Sequence, residues 1–151
     1  MKEQKEFLRA KLVEFQLRIA ELNHTLKEQE DSFQTREEGV YGGLFEVLDA
    51  FEGIEETLKA KEGDLNKTGR RLGKSIRAVH RKLVRLLKAN DVVPIEFPDS
   101  MARMELCRIV DTQESDGLEN ETILSVVKKG YIQRKEEKVL RKAEVISVLN
   151  Q

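Results

Sequence analysis

The fold is decided first by residues 8–33, LRAKLVEFQLRIAELNHTLKEQEDSF. Apolar side chains recur in this stretch at alternating intervals of four and three residues, with polar Gln29 as the one exception. The positions are Leu8, Leu12, Phe15, Ile19, Leu22, Leu26, Gln29 and Phe33. This alternation is typical of the seam along which the helices of a coiled coil pack. The sequence therefore predicts a long helix over residues 1–40 with one narrow apolar stripe.

A helix with a single apolar stripe is marginally stable in water until another surface covers the stripe. The apolar segments that follow in the chain are shorter than this helix, although folding back onto the same chain stays open as an alternative. We expect a homodimer in which residues 1–40 form the dimerisation stalk. The interface residues expected on this helix are Leu8, Leu12, Phe15, Ile19, Leu22, Leu26 and Phe33.

Residues 41–90 carry two further amphipathic segments, with apolar positions from Leu44 to Leu58 and from Leu72 to Leu87. Glycines at positions 39, 42 and 43 each cost about 1 kcal/mol in a helix interior, so we expect the long helix to bend or stop there. Two short helices with apolar faces are half of a four-helix bundle, which a dimer would complete. Leu83 is assigned to this dimer interface.

The second of these segments is strongly basic. Residues 67–90 contain nine Lys and Arg residues and no Asp or Glu, although the net charge of the chain is −1. Such a helix can follow phosphate groups, so a basic-helix nucleic-acid binder is one alternative function. The favoured interpretation is that the preceding acidic helix neutralises it, since no aromatic residue is interleaved to stack on bases. We therefore expect no nucleic acid among the partners.

The apolar pattern changes at residue 92. Short β-branched runs follow at 92–97, 106–110, 123–127 and 139–148, and polar residues 133–138 between two of them predict a hairpin tip. Residues 91–151 are therefore expected to form a small β-domain. The predicted fold class is α+β, with a long dimeric coiled-coil helix, two short bundle helices and this C-terminal β-domain.

Several function classes are not supported by the residue types present. No apolar run approaches the roughly 20 residues of a membrane span, and the first residues lack the apolar core of a signal peptide, so we expect a cytoplasmic protein. Cys107 is the single cysteine, and His24 and His80 are the two histidines, which is too few for a zinc site or a catalytic Cys–His pair. No HExxH or phosphate-cradling GxxxxGK[ST] motif occurs. We expect no metal, no cofactor and no enzymatic activity.

Four local strings resemble the GrpE family. Residues 44–49, LFEVLD, are similar to the stretch that opens the family's second helix, and residues 86–95, LLKANDVVPI, to its helix end and first strand. The most specific is ESDGLENETILSVVKKGY at residues 114–131, which matches the family's ESD, apolar strand and KGY without a gap. Residues 139–145 are similar to its closing strand. The chain is identified as a divergent member, because Cys107 stands at the His of the family's DPxxHEA motif and Asn120-Glu121 at its Pro-Gly.

The resemblance implies a nucleotide exchange factor that binds the ATPase domain of a DnaK-type chaperone and promotes ADP release. It places the chaperone-binding residues at Val127, before KGY, at the hairpin cations Arg134, Lys138 and Arg141, and at Ser75 on the basic helix. Each has an alternative: Val127 as a core residue, Arg141 as an internal ion-pair partner, Ser75 as a small packing residue. A coiled-coil structural or adaptor protein is the other alternative function.

Overall fold

The computed structural model describes residues 1–151 and contains two helices and six strands. The elements are α1 (Lys2–Ala60), a short 3₁₀ helix (Glu62–Asp64), α2 (Lys67–Ala89), β1 (Val92–Pro94), β2 (Cys107–Gln113), β3 (Ile123–Lys128), β4 (Tyr131–Gln133), β5 (Lys138–Arg141) and β6 (Ala143–Val148). The α+β class with a long helix and a small β-domain is confirmed. Contacts divide the chain into two units, residues 1–40 and residues 41–151.

Residues 1–40 are helical from Lys2 and bury no side chain in the chain itself. The seam side chains are between 55% and 67% exposed: Leu8, Leu12, Phe15, Ile19, Leu22, Leu26 and Phe33. Local contacts, such as the ion pair between Lys11 Nζ and Glu14 Oε2 at 2.7 Å, contribute only a few tenths of a kcal/mol each to a helix. The seam therefore stays uncovered within one chain.

The helix was expected to bend or stop at Gly39, Gly42 and Gly43, and it does not stop there. Helix α1 continues through all three, and none of them has a positive φ. The cost of three glycines is a few kcal/mol. Burial of Phe45 and Leu48 on the next turns offsets this cost, since each large apolar side chain contributes about 1.5–3 kcal/mol when fully buried. The first of the two expected short helices is thus the C-terminal part of α1.

The C-terminal part of α1 and helix α2 form an antiparallel pair. Gly73 is buried against Leu58. Two turns back along α1 and two turns further along α2, His80 contacts Phe51. Helix α2 begins at a cap in which the Asn66 side chain accepts a hydrogen bond from the Gly69 N–H at 2.7 Å, which satisfies one of the free amides of the first turn.

The β-domain consists of two three-stranded sheets. In one, β4 lies between β1 and β5 and all pairings are antiparallel; in the other, β6 lies between β2, which is parallel to it, and β3, which is antiparallel. Strands β4 and β5 form the expected hairpin, with residues 134–137 between them. The link between β3 and β4 contains Gly130, where a Cβ would collide with the backbone of Arg141 and Ala143. Glycine is required there by this close approach.

Two apolar cores hold residues 41–151 together. The first joins the helices to the β1-β4-β5 sheet and contains Phe45, Leu48, Leu87, Val92 and Tyr131. The second lies on the β2-β6-β3 sheet and contains Cys107, Ala143 and Val145. The first core fixes the β4–β5 hairpin against α1, which matters for the candidate site because the hairpin carries three of its five expected residues.

Candidate functional site

Val127 lies on β3 with its side chain 58% exposed, so its alternative role as a core residue is wrong. β3 is an edge strand of its sheet, and the neighbouring Leu124 and Val126 are also exposed. An edge strand with exposed apolar side chains is a surface that proteins cover or use for binding. The strand is therefore the candidate contact surface that the resemblance places before the KGY sequence.

Arg141, at the end of β5, is held by the chain itself. Its guanidinium makes two parallel hydrogen bonds to Asp49 on α1, Nη1 to Oδ2 at 2.8 Å and Nη2 to Oδ1 at 2.7 Å. It also donates to the carbonyl of Lys129 from Nη2 at 2.7 Å and from Nε at 3.0 Å. A two-pronged arginine–carboxylate pair fixes distance and angle together. Arg141 therefore has the internal pairing that was its alternative role.

The rings beside Arg141 complete a small cluster, which we call the arginine clamp: Phe45, Asp49, Lys129, Tyr131 and Arg141. The Phe45 and Tyr131 rings are stacked at 4.2 Å and 5°, and the Arg141 guanidinium lies 5.4 Å and 5.3 Å from their centroids. A guanidinium over aromatic faces gains roughly 0.5–2 kcal/mol. The clamp joins α1 to the link between β3 and β4, and so fixes the end of the contact strand.

Two further cations lie on the same side of α1. Lys128 Nζ is 3.5 Å from Asp49, and Lys129 Nζ is 2.7 Å from Glu52 Oε1. Burial raises the pKa of Tyr131 to about 12, with the charge of Glu52 adding to the effect. The Tyr131 phenol thus stays neutral at any physiological pH. Asp49 and Glu52 of α1 both form ion pairs with cations of the β-domain.

The hairpin cations differ in their surroundings. Arg134 is exposed in the turn, and its backbone N–H donates to the Asp91 carbonyl at 3.1 Å, while the Asp91 carboxylate accepts from the Lys135 N–H. Lys138, at the start of β5, is partly buried. The structure therefore places Arg134 on the open surface and Arg141 in the clamp. Arg134 and Lys138 stand at the two ends of the turn, in a different sheet from Val127.

The two residues expected on α2 also occupy different environments. Ser75 is exposed, and its hydroxyl donates to the Arg71 carbonyl at 3.3 Å, as serine does within helices. Leu83, expected at the dimer interface, is partly buried against the first core of its own chain. Exposed apolar side chains recur on α2 at intervals of seven residues, at Leu72, Val79 and Leu86, while Val84 is exposed on another side of the helix. The first three form an uncovered face of this helix.

The sequence does not predict the contact between His80 and Glu55. The His80 Nδ1 is 2.9 Å from Glu55 Oε1, and the imidazole stacks on Phe51 at 5.6 Å. The hydrogen bond to His80 holds the pKa of Glu55 below its usual value, with nearby Arg77 contributing. The only sequence signal is that a histidine and a glutamate fall on the facing sides of two amphipathic helices.

The interpretation that the acidic helix neutralises α2 is supported only at Arg77, whose charge helps to lower the pKa of Glu55. Asp49 and Glu52 pair with cations of the β-domain, and Glu55 pairs with His80. None of the nine Lys and Arg residues of α2 forms an ion pair in the chain. Asp49 and Glu52 of α1 thus hold the β-domain, and the exposed cations of α2 have no ion-pair partner in the chain.

The structure also bears on metal-binding groups and on membrane-spanning helices. No group of three or more His, Cys, Asp or Glu side chains is placed to hold a metal ion. Cys107 is fully buried, with its thiol donating to the Arg103 carbonyl at 3.2 Å. Neither helix contains a segment that is both long and apolar enough to cross a membrane.

Comparison with known proteins agrees with this architecture. The family model described as GrpE matches residues 1–148. The chain is similar to Protein GrpE of Methanosphaera stadtmanae, with 28% identity over 107 residues, 71% of this chain and 57% of that protein. It is also similar to Protein GrpE of Brachyspira hyodysenteriae, with 28% identity over 122 residues, 81% of this chain and 58% of that protein. The matches thus span less than three-fifths of these curated relatives. Because the family model covers nearly the whole sequence, the chain belongs to the GrpE family.

Proposed function

We propose that the protein is a nucleotide exchange factor, a non-enzymatic co-chaperone that binds the ATPase domain of a DnaK-type chaperone in the cytoplasm and promotes ADP release. Family membership supports the proposal. The observation that carries it is the exposed edge strand with Val127, whose end is held on α1 by the arginine clamp. A rigidly supported apolar strand can press on a partner without being displaced itself.

The mechanism requires no nucleotide site on this chain. An exchange factor has to bind the open, nucleotide-free form of the ATPase domain more tightly than the closed form, because only differential affinity shifts a conformational equilibrium. Release of ADP then becomes faster. By linkage, nucleotide weakens the binding of the factor by the same ratio. The side chains on this protein therefore need only to recognise one shape of the chaperone.

Within this proposal the expected contact residues take distinct roles. Val127 supplies the apolar contact, while Arg134 and Lys138 at the two ends of the β4–β5 turn supply positive charge for acidic groups of the chaperone. Ser75 offers a small side chain on α2 where a second surface can approach closely. Arg141 acts through the clamp, as a positioning residue behind the contact surface.

The uncovered seam supports a homodimer. Leu12, Ile19, Leu26 and Phe33 recur every seven residues, and all are more than half exposed. Leaving such a stripe in water costs about 25 cal/mol per Å² of apolar surface, so a second copy is the simplest cover. We propose a parallel or antiparallel pairing of residues 1–40, with Leu72, Val79 and Leu86 of α2 covered in the same dimer. Two protomers would bind one chaperone.

The test is the release of a fluorescent ADP analogue from a DnaK-type chaperone of the same organism, measured by stopped flow. The protein should accelerate release, and Val127→Asp should reduce the acceleration at least about tenfold, since a buried carboxylate costs more than 1.4 kcal/mol. Val110→Asp is the matched control, because Val110 is also exposed on an edge strand, β2, of the same sheet. No acceleration by the unmodified protein, or equal losses in both variants, would contradict the proposal.

A further inference from the structure

Helix α2 carries a stripe of six exposed cations on one face. We call this the cationic stripe: Lys67, Arg71, Lys74, Arg81, Arg85 and Lys88. At about 100° per residue, these six positions fall within roughly 100° of the helix circumference, and a seventh exposed cation, Arg70, falls at the edge of this sector, at the same angle as Lys88. They extend along about 32 Å of the axis, at 1.5 Å per residue. No Asp or Glu occurs anywhere between Lys67 and Asn90 to interrupt the charge.

None of the six cations of the stripe forms an ion pair inside the chain, although Glu62 lines the same shallow pocket as Lys74. Three carboxylates in the C-terminal part of α1 are paired with other residues, Asp49 with Arg141 and Lys128, Glu52 with Lys129, and Glu55 with His80. Uncompensated like charges along one face destabilise a helix by a few tenths of a kcal/mol per pair. An anionic partner that neutralises the stripe would remove this repulsion, which would favour binding.

The stripe stays open in the proposed homodimer. The side of α2 that packs on its own chain carries Gly73, Leu83 and Leu87. The side offered to a second copy carries Leu72, Val79 and Leu86, which lie about 100–140° around the helix from Lys67. The cationic stripe faces away from both. Only a partner other than this chain could therefore contact the whole stripe.

The chemistry of the stripe favours phosphate groups over a protein or lipid surface. Protein interfaces depend on apolar and aromatic anchors and are poor in lysine, whereas Ala78 is the only apolar residue among the six cations. Membrane-surface helices need an apolar face to insert, which the stripe also lacks. Sequence-independent binding of nucleic acid uses Lys and Arg against phosphates alone.

A duplex matches the stripe better than a single strand. Proteins that bind single strands stack bases on aromatic side chains, and α2 contains no Phe, Tyr or Trp. The straight row of about 32 Å is close to one turn of a duplex, about 34 Å. The net charge of −1 does not oppose binding, because charges beyond about 8 Å are screened at physiological salt. We propose that the cationic stripe binds the phosphate backbone of a nucleic-acid duplex, independently of base sequence.

The test is fluorescence anisotropy of a labelled 24-base-pair DNA duplex titrated with the full chain at several salt concentrations. With four to six phosphates contacted, we expect a dissociation constant of about 1–100 μM at 150 mM salt and a log–log salt slope of about −3.5 to −5.5. Lys74→Gln, Arg81→Gln and Arg85→Gln together should weaken binding roughly 100-fold and reduce the slope by about 2.7. Arg81→Gln alone should reduce the slope by about 0.9, which keeps the test valid if the triple variant folds poorly.

The matched control is Lys2→Gln, Lys5→Gln and Arg9→Gln, which removes the same charge from exposed positions of α1. It should leave the affinity within about twofold. Equal weakening by the control and the stripe variant would overturn the proposal, as would a flat salt dependence. Binding of poly-glutamate as tightly as the duplex at the same ionic strength would also overturn it, because the stripe would then fit an acidic protein surface. Val127→Asp should keep duplex binding, so failure of the exchange activity can be distinguished from failure of this site.

Discussion

Phe33 and Phe45 belong to the same helix, yet their side chains are 67% and 1% exposed. Residues 1–40, which contain Phe33, bury no side chain in the chain itself. Residues 41–151, which contain Phe45, close two apolar cores of their own. Because backbone hydrogen bonding is the same in both stretches of α1, the difference lies in tertiary burial alone. The second region buries its own apolar side chains, whereas in the first region the proposed homodimer would have to cover them.

The largest difference between the two regions is expected when charge is placed on the apolar seam of residues 1–40. Leu12→Asp with Ile19→Asp would bury four carboxylates per dimer, and we expect the dissociation constant of the dimer to rise by at least about 1,000-fold. Sedimentation equilibrium measures this change. Ala10→Asp with Ala20→Asp adds the same charge to exposed positions off the seam and should leave the dimer intact. A seam variant that remains dimeric would show that these residues do not form the interface.

A matched pair of phenylalanines compares the two regions directly. Phe45→Ala should lower the free energy of unfolding by about 3–5 kcal/mol, because it leaves a cavity beneath Tyr131 and Arg141. Phe33→Ala should lower stability only through the dimer, so its effect should grow as the protein is diluted. Urea unfolding at two protein concentrations separates the cases. A concentration-independent effect at Phe33 would mean that this side chain is covered within its own chain.

Substitutions in the arginine clamp test whether this cluster holds the β-domain on α1 within residues 41–151. Arg141→Met should cost about 2–3 kcal/mol, since it leaves Asp49 partly buried without its main partner. Arg134→Met, at an exposed position in the turn, should change stability by less than about 0.5 kcal/mol. Thermal unfolding measures the stability of the two methionine variants. In the exchange assay, Arg141→Lys should slow ADP release even at a temperature at which the variant is fully folded. Similar stability of both methionine variants would show that the arginine clamp does not hold the β-domain on α1.

The smallest effect concerns pH. The pKa of Glu55 is lowered by the hydrogen bond to His80, so the folded protein holds the ionised carboxylate more tightly than the unfolded chain does. This stabilisation, about 1 kcal/mol, is present above pH 4.5 and is lost as the pH falls below 4.5 through the lower folded-state value. Glu55→Gln should therefore flatten the acid limb of the stability curve. Glu56→Gln, at the exposed neighbouring position, should not, and identical curves for both variants would contradict the assignment.

Features that depend on local periodicity were predictable from the sequence. The heptad seam, the α+β class and the hairpin over residues 133–138 follow from intervals of three and four residues or from alternating β-branched runs. The end of the first helix did not follow, because the glycine cost at 39–43 is decided by the burial of Phe45 and Leu48 on later turns. Local propensity carries no information about that burial.

The candidate site was predictable only in part for the same reason. The resemblance could point to Val127 and Arg141, but not to their different environments. Asp49 and Arg141 are 92 residues apart, and nothing in either local pattern links them. That one ion pair also removes Asp49 as a neutralising partner of α2. The open charge of α2 could therefore be recognised only after the pairing of α1 was known.

The proposed exchange function requires this protein to distinguish two forms of a chaperone. The most direct measurement is isothermal titration calorimetry of the full chain against a DnaK-type ATPase domain, first free of nucleotide and then saturated with ADP. We expect binding to be at least about tenfold tighter to the nucleotide-free form. By linkage, the protein should lower the affinity of the ATPase domain for ADP by the same ratio. Equal affinity for the two forms would contradict nucleotide exchange, because a protein without preference cannot shift the equilibrium.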